Sequence, residues 1–382
     1  MKWIVAAFTL LIAAPAVAQS PVWQVTTADD GALSYQQAVV ESMNDGTIKL
    51  STGDLDSSSV GRLWRDGAVD TTRWRGTSML HLVGGDRIRG TLVDFDGDTL
   101  VWRSSILDNL DVSVDNILAI LPDGAVPPTE PPLDDTIVLA NGDRISGFLE
   151  SAADSAWTIS PDQGDELVVA AENIDRIIFS GGQAREISGD RWHLSVDDGS
   201  RMTFDDFFIL PDGVRGKYFG REVGLALPVL LGIDHAGGRI VWLSDLPTES
   251  LAITPYFGES PAVPRLLRPA GSQFESVPTR QSFVLPSKSL ARWQVPAGGR
   301  RFVARVGIDP DAGAQLADVD VVIRVDGESK FEQTGLGSGD AFADISIDVA
   351  AGQSLEIEIG YGQGLDVQDR VLLLDPAFLL AD

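Results

Sequence analysis

Leu80-His81-Leu82-Val83-Gly84-Gly85-Asp86-Arg87-Ile88-Arg89-Gly90-Thr91-Leu92-Val93 is the stretch on which the fold turns. Two strand-sized runs flank Gly-Gly-Asp, and a short run bounded by such turn residues predicts a β-hairpin. Glycine and aspartate favour the turn because they enter positive φ at little cost. Asp94–Asp98 then predicts a second turn, and Thr99–Arg103 a third strand. Val112 and Val114 alternate with polar neighbours, and Ile117–Leu121 closes the segment.

The segment recurs. Gly85-Asp86-Arg87-Ile88-Arg89-Gly90 returns as Gly142-Asp143-Arg144-Ile145-Ser146-Gly147, an offset of 57 residues. Asn116-Ile117 and Asn173-Ile174 stand at that same offset, so two matches share one register. A fainter third copy starts at Asp198-Gly199-Ser200-Arg201-Met202, with Leu230–Ile233 near its end. An earlier degenerate copy runs from Asp29 to Leu63. Repeats set the architecture before anything else does. About five short strands per copy predicts a strongly bent sheet, and the pattern resembles SH3-like or Sm-like small barrels. Only Leu33–Met43 has the reach of a helix.

Composition bounds the function. The chain has 382 residues, 44% of them hydrophobic, with no cysteine and a net charge of −27. Cysteine-free cores exclude disulfide scaffolds, thiol nucleophiles and thiolate metal sites. The acidic balance argues against nucleic acid, which demands a basic footprint. The basic-aromatic cluster Arg62, Trp64, Arg65, Arg73, Trp74 and Arg75 reads as cover for a strand face. Met1-Lys2-Trp3, an apolar run to Ala14, and Ala16-Val17-Ala18 predict a signal peptide over residues 1–18 and an exported protein, periplasmic or extracellular. That run is too short to span a bilayer. The expected organisation continues with a degenerate unit at 19–79, repeat units at 80–124 and 137–182 around a Pro-rich linker at 125–136, and a degenerate third repeat at 190–239. Residues 240–382 form the last domain.

In that last domain, Arg301–Asp309 alternates into the turn Pro310-Asp311-Ala312-Gly313. Val319–Asp326, Ile345–Val349, Leu355–Ile359 and Val371–Leu374 follow as strands. Period-two alternation with regular turns predicts a jelly-roll β-sandwich. The predicted fold class is therefore all-β, tandem small barrels followed by a sandwich. Trp293 alternates inside a strand and reads as core.

Three ordered motifs carry a family resemblance: "RFVARVGIDPDAG" from Arg301, "VVIRVDGESKFEQTGLGSGD" from Val321 and "LDVQDRVLLLDPAFL" from Leu365. They resemble the NPCBM family, a novel putative carbohydrate-binding module with a galactose-binding-like jelly roll. Ile240–Leu246 resembles the lead-in to that module in multi-domain envelope proteins of planctomycete-type bacteria. Three positions depart from the family pattern, with Pro286 where a histidine is usual, Arg370 at the usual closing histidine and Leu373 near a usual tryptophan. The resemblance implies binding of carbohydrate or a cell-envelope glycan without turnover, with other envelope proteins as further partners. Tyr256, Asp309, Asp366, Gln368 and Asp369 are the candidate sugar contacts, an aromatic for a ring face and polar groups for hydroxyls. The competing expectation is a structural or protein-interaction scaffold with a degenerate sugar site.

Catalytic patterns are absent from the sequence. No G-x-S-x-G, Walker A, H-E-x-x-H or complete EF-hand occurs. His81, His193 and His235 are the only histidines, and His81 reads as half-buried within a strand. Asp94, Asp96 and Asp98 lack the downstream bidentate glutamate of a Ca²⁺ loop and read as a hairpin turn. No cofactor or metal is expected.

Overall fold

The computed structural model describes residues 21–29, 31–44, 46–65, 77–122, 125, 132–153, 155–162, 164–181, 191–254, 265–267, 282–309, 317–362 and 369–381. Their regular structure is strand and short 3-10 turn, with no α-helix among the described residues. The signal-peptide segment, most of the Pro-rich linker and Arg73–Arg75 lie outside them.

Four five-stranded units share one design. They comprise β1–β5 (Val22–Asp29, Ala32–Asn44, Thr47–Leu50, Gly53–Asp56, Val60–Trp64) and β6–β10 (Ser78–Leu82, Arg87–Phe95, Thr99–Ser104, Asp108–Ser113, Ile117–Leu121). Next come β11–β15 (Asp135–Leu139, Arg144–Ala153, Ala156–Ser160, Leu167–Ala170, Ile174–Ile178) and β16–β20 (Arg191–Val196, Arg201–Leu210, Gly213–Tyr218, Arg221–Ala226, Leu230–Ala236). In the first unit β1 to β4 form an antiparallel meander and β5 returns to pair with β1. The other three units repeat these pairings. Each long second strand shifts register once, at Val40/Ser42, Leu92/Asp94, Leu149/Ser151 and Asp205/Phe208. Such bulges bend the strand and let a small sheet curl into a barrel. A 3-10 turn precedes every closing strand.

The repeated motif has a local physical cause. Gly85, Gly142 and Gly199 hold φ of 87°, 91° and 91° at equivalent hairpins, where a Cβ would be strained. The N–H of Val83 donates to the Asn116 carbonyl at 2.9 Å, and Ala140 does the same to Asn173 at 2.8 Å. Asp197 donates to Val229 at 2.9 Å in the fourth unit. Each hairpin loop is thus tied to its own 3-10 turn, which explains why the two sequence matches keep one register.

The units pair through equivalent strands. The second and third meet by β10 on β15 and by Phe95 opposite Ala152. The first and fourth meet by β5 on β20 and by Met43 opposite Ile209. Arg87 opposite Arg201 joins the two pairs. The helical expectation for Leu33–Met43 is corrected here. That segment lies within β2, paired along its length with β1 and then β3. Its apolar residues are shared between two partners on a bent strand, which blurs period two into something helix-like.

The C-terminal sandwich has β21 (Ile240–Trp242), β22 (Ser250–Ile253), β23 (Arg265–Leu267), β24 (Ser282–Pro286), β25 (Ser289–Gln294) and β26 (Gly299–Ile308). It continues with β27 (Asp318–Val325), β28 (Glu328–Gly337), β29 (Ala343–Asp348), β30 (Ser354–Tyr361) and β31 (Arg370–Leu380). One sheet runs β23-β24-β31-β26-β29 with β21 also on β31, and the other runs β22-β25-β30-β27-β28. Trp293 is fully buried between them, edge-on to Phe283 at 5.9 Å. β31 reads as an almost unbroken apolar run because both of its faces are covered. Phe378 and Leu373 enter the sandwich core, while Ala377 and Leu379 pack with Ala28, Ile240 and Trp242 against the first unit.

Buried charge locks that joint. Arg62 is 1% exposed, ion-paired to Asp234 of the fourth unit, with Nη1 3.7 Å from Asp375 of the sandwich. Its guanidinium lies 4.1 Å from the Trp242 ring centroid. The Tyr35 hydroxyl donates to Asp375 at 3.3 Å, and burial together with that carboxylate pushes the phenol far up. Of the basic-aromatic cluster, Arg62 therefore sits inside the molecule, paired across three domains.

His193 is buried in β16, its Nδ1 2.7 Å from Thr203 Oγ1. The Thr203 hydroxyl donates to Asp86 at 2.6 Å, so the imidazole must donate to it as the Nδ1–H tautomer. Burial, assisted by Arg201, lowers the His193 pKa to about 4 from 6.5. Between those values the unfolded chain takes the proton, so stability is full above pH 6.5 and is lost as pH falls towards 4. Urea midpoints should fall over that window, and His193→Gln should flatten the fall. An unchanged pH slope in the variant would refute the assignment.

Candidate functional site

One end of the sandwich gathers strand termini from both sheets. β26 stops at Ile308 opposite Val371, just inside the start of β31. In the second sheet β27 begins where β30 ends, with Val319 opposite Tyr361. The Ser287-Lys288 turn reaches the same end, since Pro286 lies opposite Arg370 and Ser289 opposite Ile359. β22 finishes there too, with Ile253 opposite Ser289.

Two carboxylates sit inside this end. Asp309 is 1% exposed and Asp369 4% exposed. The Asp309 N–H donates to the Arg370 carbonyl at 2.8 Å, and Asp309 Oδ2 lies 2.9 Å from Arg370 Nη2. Asp369 Oδ1 accepts from the Asp318 N–H at 3.3 Å. These bonds hold the starts of β27 and β31 against the end of β26. Outside them, half the Arg370 side chain faces solvent. Tyr361 is half-buried, and its hydroxyl donates to the Thr254 carbonyl at 3.1 Å. Lys288 Nζ stands 5.3 Å from the Tyr361 ring centroid, a cation over an aromatic face. Lys288 takes φ of 56° at a tight turn, which fixes where its side chain departs.

The arrangement offers an aromatic face and two cationic donors, supported from inside by two buried carboxylates. It can recognise hydroxyls and a ring face. It has no general-base imidazole, since all three histidines lie in the repeat units. Among the described residues no group of three or more His, Asp or Glu is placed to hold a metal ion. Asp96 Oδ1 instead accepts from the Asp98 and Thr99 N–H groups at 3.0 and 2.8 Å, an ordinary hairpin turn.

Of the sequence candidates, Asp309 and Asp369 come together at this end. Tyr256, Asp366 and Gln368 lie outside the described residues. Sequence reasoning missed Lys288 and Tyr361. The available signal was an aromatic between two glycines, Gly360-Tyr361-Gly362, where small neighbours leave a ring uncovered.

Comparison with known proteins bears on this domain. Residues 283–379 match the NPCBM/NEW2 domain family. No curated protein matches the chain. The structure is similar to the CBM51 of Clostridium perfringens GH95 in complex with methyl-galactose, at 17% identity and a TM-score of 0.30, over 36% of this chain and 99% of that one. It is also similar to CBM51-2 and INT domains of Clostridium perfringens ZmpB in complex with GlcNAc, at 18% identity and a TM-score of 0.31, over 46% and 38%. A third similar structure holds the tandem CBM51 modules of Sp3GH98, the family 98 glycoside hydrolase from Streptococcus pneumoniae SP3-BS71. There the identity is 12% and the TM-score 0.29, over 94% and 88%.

Proposed function

We propose that this is an exported, non-catalytic protein that binds carbohydrate, a cell-envelope glycan, through the open end of its C-terminal sandwich. The observation that carries the reading is a coincidence. The segment matching the NPCBM/NEW2 family is the one whose open end gathers Tyr361, Lys288, Asp309, Asp369 and Arg370. Tyr361 supplies an apolar ring face, and Lys288 and Arg370 donate to hydroxyl or carbonyl oxygens. Asp309 and Asp369, buried beneath, orient the strand ends and hold Arg370 in place. No helix among the described residues is long and apolar enough to cross a membrane. The four barrels then act as the body that carries and spaces the site.

A glycan array probed with the full chain, with and without Ca²⁺, tests this. The expected result is saturable binding to one sugar class, independent of Ca²⁺, with the glycan recovered intact. A blank array from folded protein, or a cleaved glycan, would overturn it.

A second reading, a protein-interaction scaffold, has one observation of its own. On the third unit Phe148, Leu167 and Val168 are 61%, 43% and 68% exposed. The last two lie on β14, which pairs only with β13 among the described residues. An apolar edge strand is a template for another chain, so a blank array would turn attention there.

A further inference from the structure

Between the second and fourth units, far along the chain from the sandwich, lies a cavity of about 260 Å³. Gly84, Asp86, Arg191, Asp205, Tyr218 and Phe219 line it. Part of the repeat motif, the Gly84-Gly85-Asp86 turn, thus forms one wall. The equivalent position in the third unit, Asp143, is exposed and bonded to Asn141, and in the fourth unit it is Ser200.

The cavity is built from balanced polar groups. Asp86 accepts from the Thr203 hydroxyl at 2.6 Å and from the Thr203 N–H at 3.0 Å. Burial raises its carboxyl above the usual range, although Thr203 and Arg201 oppose the shift. Tyr218 is 1% exposed, its hydroxyl turned towards Asp86 and shut off from solvent, so it closes the floor of the cavity. At the rim, Arg191 and Asp205 stand 3.2 Å apart. A cationic ligand would meet Arg191, and an anionic one would meet Asp205 and Asp86. A neutral ligand whose groups both donate and accept suits every wall.

The lip adds an apolar face. Phe219 is 40% exposed and lies edge-on to Tyr218 at 4.8 Å. It holds φ of 48° and Gly220 φ of 74°, in the two-residue turn between Tyr218 and Arg221. Such turns favour Asn-Gly or Asp-Gly, and an aromatic residue there is strained. Strain of this kind persists where the surroundings impose it, and it clusters at ligand sites. The cavity also falls below the roughly 300–1,000 Å³ of sites for drug-sized ligands, so its ligand is small.

We propose that this cavity binds one neutral, hydroxyl-rich ring of monosaccharide size. The ring's apolar face lies on Phe219, and its hydroxyls reach the Arg191–Asp205 pair at the rim. The site is separate from the sandwich end and stands or falls without it.

Saturation-transfer NMR on the full chain tests the proposal, using methyl glucoside, methyl galactoside and methyl N-acetylglucosaminide beside cationic glucosamine and anionic glucuronate. A neutral glycoside should bind in preference to both charged sugars. In a chain already carrying Lys288→Ala/Tyr361→Ala, Arg191→Gln and Phe219→Asn should each weaken it about tenfold, the loss of one good polar or stacking contact. A Lys288→Ala/Tyr361→Ala chain should retain it. Neither cavity variant should lower Tm appreciably, since Arg191 and Asp205 form a solvent-facing pair and Asn suits positive φ. Four results would overturn the proposal: no neutral ring binds, a charged sugar is preferred, binding survives both cavity variants in the chain that also carries Lys288→Ala/Tyr361→Ala, or it disappears only in the Lys288→Ala/Tyr361→Ala chain.

Discussion

Arg62→Ala lowers unfolding stability by about 3–5 kcal/mol, the cost of leaving a buried charge without its partner. Asp234 and Asp375 both surround this guanidinium, and both are nearly inaccessible to water. Removing the cation takes the counter-charge from two buried carboxylates and also empties the space beside Trp242. The effect extends beyond one unit, because Arg62 comes from the first barrel, Asp234 from the fourth and Asp375 from the sandwich. Chemical denaturation of the variant should show either one weakened transition or a sandwich that separates from the barrels. The double variant Arg62→Ala/Asp234→Ala should lose less than the sum of the single losses, because the residues share one network. Additive losses would show that the pair is not coupled.

The second large effect concerns a residue with no side chain. Gly90→Ala costs about 3 kcal/mol, at the upper end of overpacking penalties. A Cβ there would sit on the Arg103 carbonyl oxygen of the neighbouring strand and 2.5 Å from Trp102 Nε1. Neither a backbone carbonyl nor a buried indole can swing aside, so β7 and β8 must separate. Gly147, its repeat equivalent, meets the Ser160 carbonyl and the Pro161 Cα at 2.7 Å in the same way. Gly85→Ala makes the contrast. Nothing lies within 4 Å of its Cβ, so only its positive φ is penalised, by about 1 kcal/mol. Equal losses at Gly85 and Gly90 would refute the close-approach account.

These two glycines show what the sequence made legible. In Gly85-Asp86-Arg87-Ile88-Arg89-Gly90 the first glycine answers to φ and the last to interstrand distance. Both demands are local, so they repeat with the unit and can be read from one chain. The alternating strands of the sandwich, and Trp293 as core, were legible for the same reason. The partnership of Arg62 with Asp234 was not. It spans 172 positions and depends on the first barrel docking to the fourth, which no local pattern encodes. β2 was misread because a bulged strand with two partners distributes its apolar residues unevenly. At the candidate site, the turn-forming Asp309 and Asp369 were visible in their motifs. Lys288 and Tyr361 meet only after β25 pairs with β30, and the sequence between them carries no sign of that contact.

The most direct measurement is glycan binding by the full chain beside Tyr361→Ala and Lys288→Ala, each checked for an unchanged Tm. The account predicts that the wild-type chain saturates on one glycan class and that both variants lose most of that affinity while remaining folded. Undiminished binding in the folded variants would contradict it and move the carbohydrate site away from the end of the sandwich.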